Sequence, residues 1–142
     1  MKKILVLILF SQVFTQFQPT TKSELQTAVD LWVDDNETAL ATYSEINTWD
    51  VSLITDMSWM FGEASSFNQD LSSWDVSNVT NMAGMFYNAT NFNKDLSAWD
   101  VSNVVNISHM FENCYSFNQD LSSWDVSSVI NMKWVFRSAS SF

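Results

Sequence analysis

Apolar and polar positions along this chain recur with a period of 25 residues. Trp49, Trp74, Trp99 and Trp124 open successive copies, which run in phase and without gaps. Around them, Ile46-x-x-Trp49-x-Val51, Leu71-x-x-Trp74-x-Val76, Leu96-x-x-Trp99-x-Val101 and Leu121-x-x-Trp124-x-Val126 share one spacing, L-x-x-L-x-L. That spacing predicts one short strand per unit in a parallel sheet, with its apolar residues inward. A second pattern follows in each copy. Met82, Met85, Phe86, Ala89 and Phe92 recur at the spacing of a helix face. Asp56, Asn81, Asn106 and Asn131 precede these faces, where an N-cap belongs.

No unit of this size can bury its own apolar face, so the units must stack, each residue on its equivalents. The expected fold class is therefore an α/β repeat: a right-handed leucine-rich-repeat solenoid with short parallel strands, short helices and an N-terminal helical cap. The array spans 46–142, the last unit being truncated at Phe142, its nineteenth residue counted from Trp124. That truncation is expected of a fragment of a longer array, and the uncapped, aromatic-rich end invites end-to-end association.

Thr20 to Tyr43 lies outside the repeat. Leu25, Ala28, Val29 and Trp32 recur at helical spacing behind a capping box read at Ser23 and Gln26. The reading is a capping segment over 20–45, with a helix at about 24–34 laid across the first unit. Before it, Lys2 and Lys3 followed by Ile4 to Phe10 form the pattern of a secretory signal over 1–18, too short to span a bilayer. A buried N-terminal strand is the competing reading.

The motif W-D-V-S-x-V-x-[ND]-M-x-x-M-F-x-x-A-x-x-F-N-x-D-L-S-x, from about Tyr43 to Phe142, resembles the BspA-like leucine-rich repeat surface proteins. The resemblance implies a secreted or cell-surface protein engaged in recognition or adhesion. It implies no catalytic residues and no cofactor.

Composition narrows the partners. Six basic against 16 acidic residues give a formal charge of −10, and loss of Lys2 and Lys3 lowers it by two, to −12. Such a polyanion is a poor partner for nucleic acid and, once a signal is removed, has no segment to insert in a membrane. Cations, neutral sugars and proteins with basic patches remain, and with the compartment that the resemblance implies, the expected partner is an extracellular protein or glycan. With only two glycines, the turns must be built from Asn, Asp and Ser. Cys114, the sole cysteine, falls where other copies carry Ala and reads as a buried filler.

Two faces are candidate binding surfaces. On the strand side, Ser72, Ser73 and Asp75, Ser97 and Asp100, and Ser122, Ser123 and Asp125 should point outward. On the helix side the copies differ most, at Trp59, Tyr87, His109 and Trp134, where exposed tryptophans would be anchors. Asp70, Asp75, Asp95 and Asp100 recur about one strand spacing apart, and that repulsion must be offset. Asx-turns are one solution; a hard cation such as calcium, which takes oxygen ligands, is the other. Because these carboxylates repeat identically in every unit, they do not form the one distinguished pair that hydrolysis needs. The chain is read as a non-enzyme, and a structural extracellular spacer is the alternative to a recognition module.

Overall fold

The structure is a computed structural model and describes residues 15–142. The expected leader falls outside the described residues as far as residue 14. Beyond that point, Phe17 packs against Tyr43 and Trp49 at centroid distances of 4.5 and 5.1 Å, and its carbonyl accepts from Asp50 N–H.

Helix α1 runs Lys22–Asp34 and buries Leu25, Ala28, Val29 and Trp32. Its capping box is formed by Thr21 and Glu24, not by Ser23 and Gln26. Glu24 also accepts from the Thr20 backbone and hydroxyl, which fixes the entry two residues earlier than the apolar pattern suggests. Asp35 ends α1 and, through its carboxylate to Thr38 N–H, begins α2, Asn36–Tyr43. A single 3₁₀ turn, Ile46–Thr48, leads into the first Trp.

From there on, the expected strand-and-helix solenoid is not what the chain builds. Among the described residues there is no sheet, only isolated parallel bridges Asp56–Asn81, Asn81–Asn106 and Asn106–Asn131. The 25-residue units stack as coils made of turns, and neither predicted element forms, for two separate reasons.

In the Leu-x-x-Trp-x-Val segment the backbone donors are taken up locally. Trp74 N–H bonds back to Leu71 O at 3.0 Å, and Val79 N–H to Val76 O at 2.8 Å. Asp70 accepts from Ser72 N–H and Asp75 from Ser77 N–H. Asx-turns of this kind compete with extended pairing, and here they win. Successive units are joined at this edge by side chains instead. The indole N–H of Trp74, Trp99 and Trp124 donates to the carbonyl of Ile46, Leu71 and Leu96, one unit back, at 2.8–2.9 Å.

On the other side, a left-handed residue interrupts the chain twice in every unit. Trp59, Gly84, His109 and Trp134 have φ of 59–63°, and Glu63, Asn88, Asn113 and Ser138 have φ of 57–66°. A right-handed helix cannot pass through them. Donors then alternate. Met57, Trp59, Phe61 and Glu63 give their N–H to Asn81, Ala83, Met85 and Tyr87 of the next unit at 2.7–2.9 Å. Met60, Gly62 and Ala64 close turns onto the residue three back. Asp56, Asn81, Asn106 and Asn131 are bridge residues whose side chains close turns onto the N–H two residues on; they cap no helix.

The core nevertheless sits on the apolar ladders. Phe61, Phe86, Phe111 and Phe136 stack at 5.4–5.6 Å with interplanar angles of 4–6°. A second column, Phe67, Phe92, Phe117 and Phe142, runs beside it at 5.8–6.1 Å. At the first unit α1 supplies what a preceding unit would. Gln26 Nε2 donates to Met60 O, where Met85 O and Met110 O receive the N–H of Phe61 and Phe86. Lys22 Nζ bonds Ser58 Oγ and pairs with Asp56 at 3.2 Å.

Candidate functional site

The left-handed position recurs at the same place on each coil, so its side chains emerge in a row. Trp59, His109 and Trp134 occupy three of these places, and Gly84 the fourth. Gly84 is the residue that the backbone there prefers; an L-residue at such φ costs roughly 1–2 kcal/mol. Trp59 uses the room that Gly84 leaves. A Cβ built on Gly84 would sit 2.5–2.7 Å from three adjacent atoms of the Trp59 ring, so the indole lies face-on over that glycine. By lying across the second unit it reaches the third, with its centroid 6.2 Å from that of His109. Tyr87 meets Trp59 edge-to-face at 5.3 Å, and His109 meets Trp134 edge-to-face at 5.1 Å.

The four helix-side candidates thus form one aromatic stripe along the stack. Trp59 is 49% and Trp134 48% exposed, whereas the ladder tryptophans Trp49, Trp74 and Trp99 are buried. Polar groups border the stripe. Glu63 accepts twice from Asn88 Nδ2 at 2.9–3.0 Å, and Asn88 Oδ1 accepts from Asn113 at 2.6 Å. Beneath the far end, Glu112 is buried and held between His109 Nδ1 at 2.5 Å and Arg137 at 3.3 Å. Lys133 Nζ and Arg137 Cζ lie 4.2 and 4.7 Å from the Trp134 ring centroid.

Gly84, Glu112 and these cations carry no motif, and their roles were not readable from residue type. The one signal available was the comparison of copies at a fixed offset, which marks Gly84 as the odd member of a row of aromatics.

The strand-side candidates lie apart from the stripe, with no hydrogen bond or ring contact joining the two sets among the described residues. They are also closed on themselves. Asp75, Asp100 and Asp125 each accept from the N–H of Ser77, Ser102 and Ser127. Ser72, Ser97 and Ser122 donate their N–H to Asp70, Asp95 and Asp120. Ser73 and Ser123 donate their hydroxyls to Asn47 O and Ser97 O, one unit back.

These bonds favour the ionised carboxylates. The Ser72, Ser97 and Ser122 backbone holds Asp70, Asp95 and Asp120 below the ordinary 3.8, and the hydroxyls of Ser102 and Ser127 do the same for Asp100 and Asp125. Neighbouring Asp70 and Asp120 push Asp95 the other way by a smaller amount. Each carboxylate therefore already has the donors that offset its neighbours. No group of three His, Cys, Asp or Glu side chains among the described residues is placed to hold a metal ion.

At the last unit an apolar hollow of about 450 Å³ opens between Ile107, Leu121, Trp124, Met132 and Phe136. No described helix is long and apolar enough to cross a membrane.

Stacked coils, a glycine-cradled aromatic stripe and self-closed Asx-turns define a repeat protein whose surface chemistry is laid out in rows. Residues 28–142 match the family described as Mycoplasma protein of unknown function, DUF285, and the chain belongs to that family. No curated protein and no solved structure matches it.

Proposed function

We propose that this protein is a non-enzymatic recognition module of the secreted or cell-surface kind, binding protein or glycan through the stripe of Trp59, Tyr87, His109 and Trp134. One observation carries the reading. In the first of the two left-handed rows, three of the four positions hold bulky aromatic side chains, at φ of 63°, 60° and 59°, although the backbone favours glycine there. Backbone strain retained at exposed aromatics supports a use for those aromatics beyond the stack. The two tryptophans are half exposed and contribute little to the core, while large, rigid indoles are common anchors in interfaces. The resemblance to BspA-like surface proteins supports the compartment.

The self-closed Ser and Asp columns favour a second reading for that side alone, a structural spacer. The two readings separate on an array of glycans and extracellular proteins probed with the protein and with Trp59→Ala and Trp134→Ala. Ligands bound by the parent and weakened about tenfold or more by either change are expected. If no ligand depends on either residue, the recognition reading fails and the spacer is left.

A further inference from the structure

Trp59 and Trp134 stand at the same repeat position three units apart, with the same left-handed φ and almost equal exposure. Their surroundings differ: one face of Trp59 lies on Gly84, and the charged groups near the two rings are not the same. Trp134 is flanked by the ammonium of Lys133 and the guanidinium of Arg137, at 4.2 and 4.7 Å from its ring centroid. Both distances are within the range in which a cation is drawn to the negative face of an indole. At Trp59 the positions equivalent to Lys133 and Arg137 are Ser58 and Gly62, and no Lys or Arg of the described residues lies over the ring. An indole at this repeat position accepts cations at Trp134, and at Trp59 the face turned away from Gly84 carries none among the described residues.

Apart from Lys22, whose ammonium is held by Ser58 and Asp56, the charge around the open seat is negative where that at Trp134 is positive. Four residues on, Glu63 is exposed, and where Trp134 has Ser138 it presents a carboxylate. Glu63 shares a hollow of about 290 Å³ with Asp30 and Asp34 of α1, and Gly62, which lies against the Trp59 ring, lines the same hollow. None of these three carboxylates has an ion-pair partner among the described residues; the pairs present there involve Asp56 and Glu112. Beyond the seat, the whole chain carries −10, which steers cations toward it.

We propose that the outer face of Trp59, bordered by Tyr87 and Glu63, is the docking point for an arginine or lysine side chain of a basic partner protein. This rests on the recognition reading above and specifies its ligand. The face-on contact with Gly84 fixes the ring plane before binding, so little side-chain freedom is lost when the cation seats. Glu63 and the neighbouring Asp30 and Asp34 supply the charge that a second basic residue of the same segment meets. A neutral sugar would use the same indole but would draw nothing from these carboxylates' charge.

The test uses the full chain with an arginine-rich decapeptide, the same peptide with citrulline for arginine, and a neutral oligosaccharide such as maltohexaose. Indole N–H resonances give the readout in the parent chain: Trp49, Trp74, Trp99 and Trp124 donate theirs to backbone carbonyls, and the signal of Trp59 is told from those of Trp32 and Trp134 by its loss in Trp59→Leu. The arginine peptide is expected to shift the Trp59 resonance with saturation, and the citrulline peptide to bind at least tenfold more weakly. By isothermal titration calorimetry, which needs no indole at position 59, Trp59→Leu, which keeps apolar cover over Gly84 but removes the ring face, should weaken arginine-peptide binding about fivefold, and Glu63→Gln about twofold or more. Circular dichroism establishes that each variant is folded before binding is scored.

Equal binding of the two peptides, or arginine-peptide binding untouched by Trp59→Leu, overturns the inference, the latter reducing it to diffuse attraction between opposite charges. If maltohexaose binds, is lost in Trp59→Leu, and the arginine peptide leaves Trp59 unshifted, the cationic ligand is wrong while the recognition reading stands. Silence from all three probes overturns the inference, and only silence of the array as well removes the broader reading.

Discussion

The indole of Trp59 covers the Cα of Gly84, one unit further along the stack, and the absence of a side chain at Gly84 is what lets it lie flat. Both residues have left-handed φ, 63° and 62°. One of them tolerates that conformation without cost and so makes room for the other, which does not. The stripe's geometry depends on this pairing of a strained aromatic with an unstrained glycine.

Replacing Gly84 by Ala should therefore act twice. The methyl group meets the left-handed penalty of about 1–2 kcal/mol and drives into the Trp59 ring, at a further cost of about 1–3 kcal/mol if the ring cannot move freely. Urea denaturation is expected to show a loss of about 1–5 kcal/mol, with a changed Trp59 indole resonance. An unchanged resonance would mean that the ring does not lie where it is described.

The Phe ladders set the stability. Phe86 is fully buried between Phe61 and Phe111 and stacks on Phe92 at 4.1 Å. Phe86→Ala should cost roughly 3–5 kcal/mol. Phe136 occupies the equivalent place in the last unit but is 37% exposed, so Phe136→Ala should cost less than half as much. Denaturation midpoints of the two variants compare them directly, and equal losses would contradict the ladder's graded burial.

Acid should loosen the turns. Asp70, Asp95, Asp100, Asp120 and Asp125 are held below 3.8 in the folded chain by turn hydrogen bonds. With native values depressed, the unfolded chain binds protons more readily, so stability rises with pH in this window. The contribution is in place above about pH 4 and is lost as pH falls through the depressed native values. Melting temperature against pH should show the fall. Asp95→Asn, which keeps an acceptor for Ser97 N–H but cannot titrate, should flatten it, whereas Asp95→Ala should lower stability already at neutral pH.

Burial pushes the Cys114 thiol up to about 12, and its Sγ bonds Phe86 O at 2.9 Å. The native protein should react with a thiol reagent at pH 8 at least a hundredfold more slowly than the unfolded chain, because the thiolate is the reactive form. Rapid labelling of the folded protein would mean that the stack opens near this unit.

Sequence and structure part company at identifiable residues. Trp74, Val76, Met82, Phe86 and Phe92 are inward in the repeat pattern and buried in the fold, since the 25-residue period alone requires each apolar residue to stack on its equivalent. The strand and helix assigned to each unit were wrong. Leu71-x-x-Trp74-x-Val76 has a strand's spacing, but Asp70 and Asp75 take the backbone donors that pairing would need. Met82, Met85, Phe86 and Ala89 have a helix's spacing, but the left-handed φ at Gly84 and Asn88 turns the same offsets into coils. Spacing tells which residues share a face, and several backbones can satisfy it.

The candidate site divides in the same way. Variation among the copies singles out Trp59, Tyr87, His109 and Trp134, but not that they touch, since Trp59 reaches His109 only by crossing the bare backbone of Gly84. The period, the composition of the ladders and the acidic balance are legible along the chain, because these depend on residue type and offset alone. The backbone of each coil, the left-handed seats of the aromatics and the open face of Trp59 are not. Those follow from which N–H groups find partners in the next unit, and that choice exists only once the units are stacked.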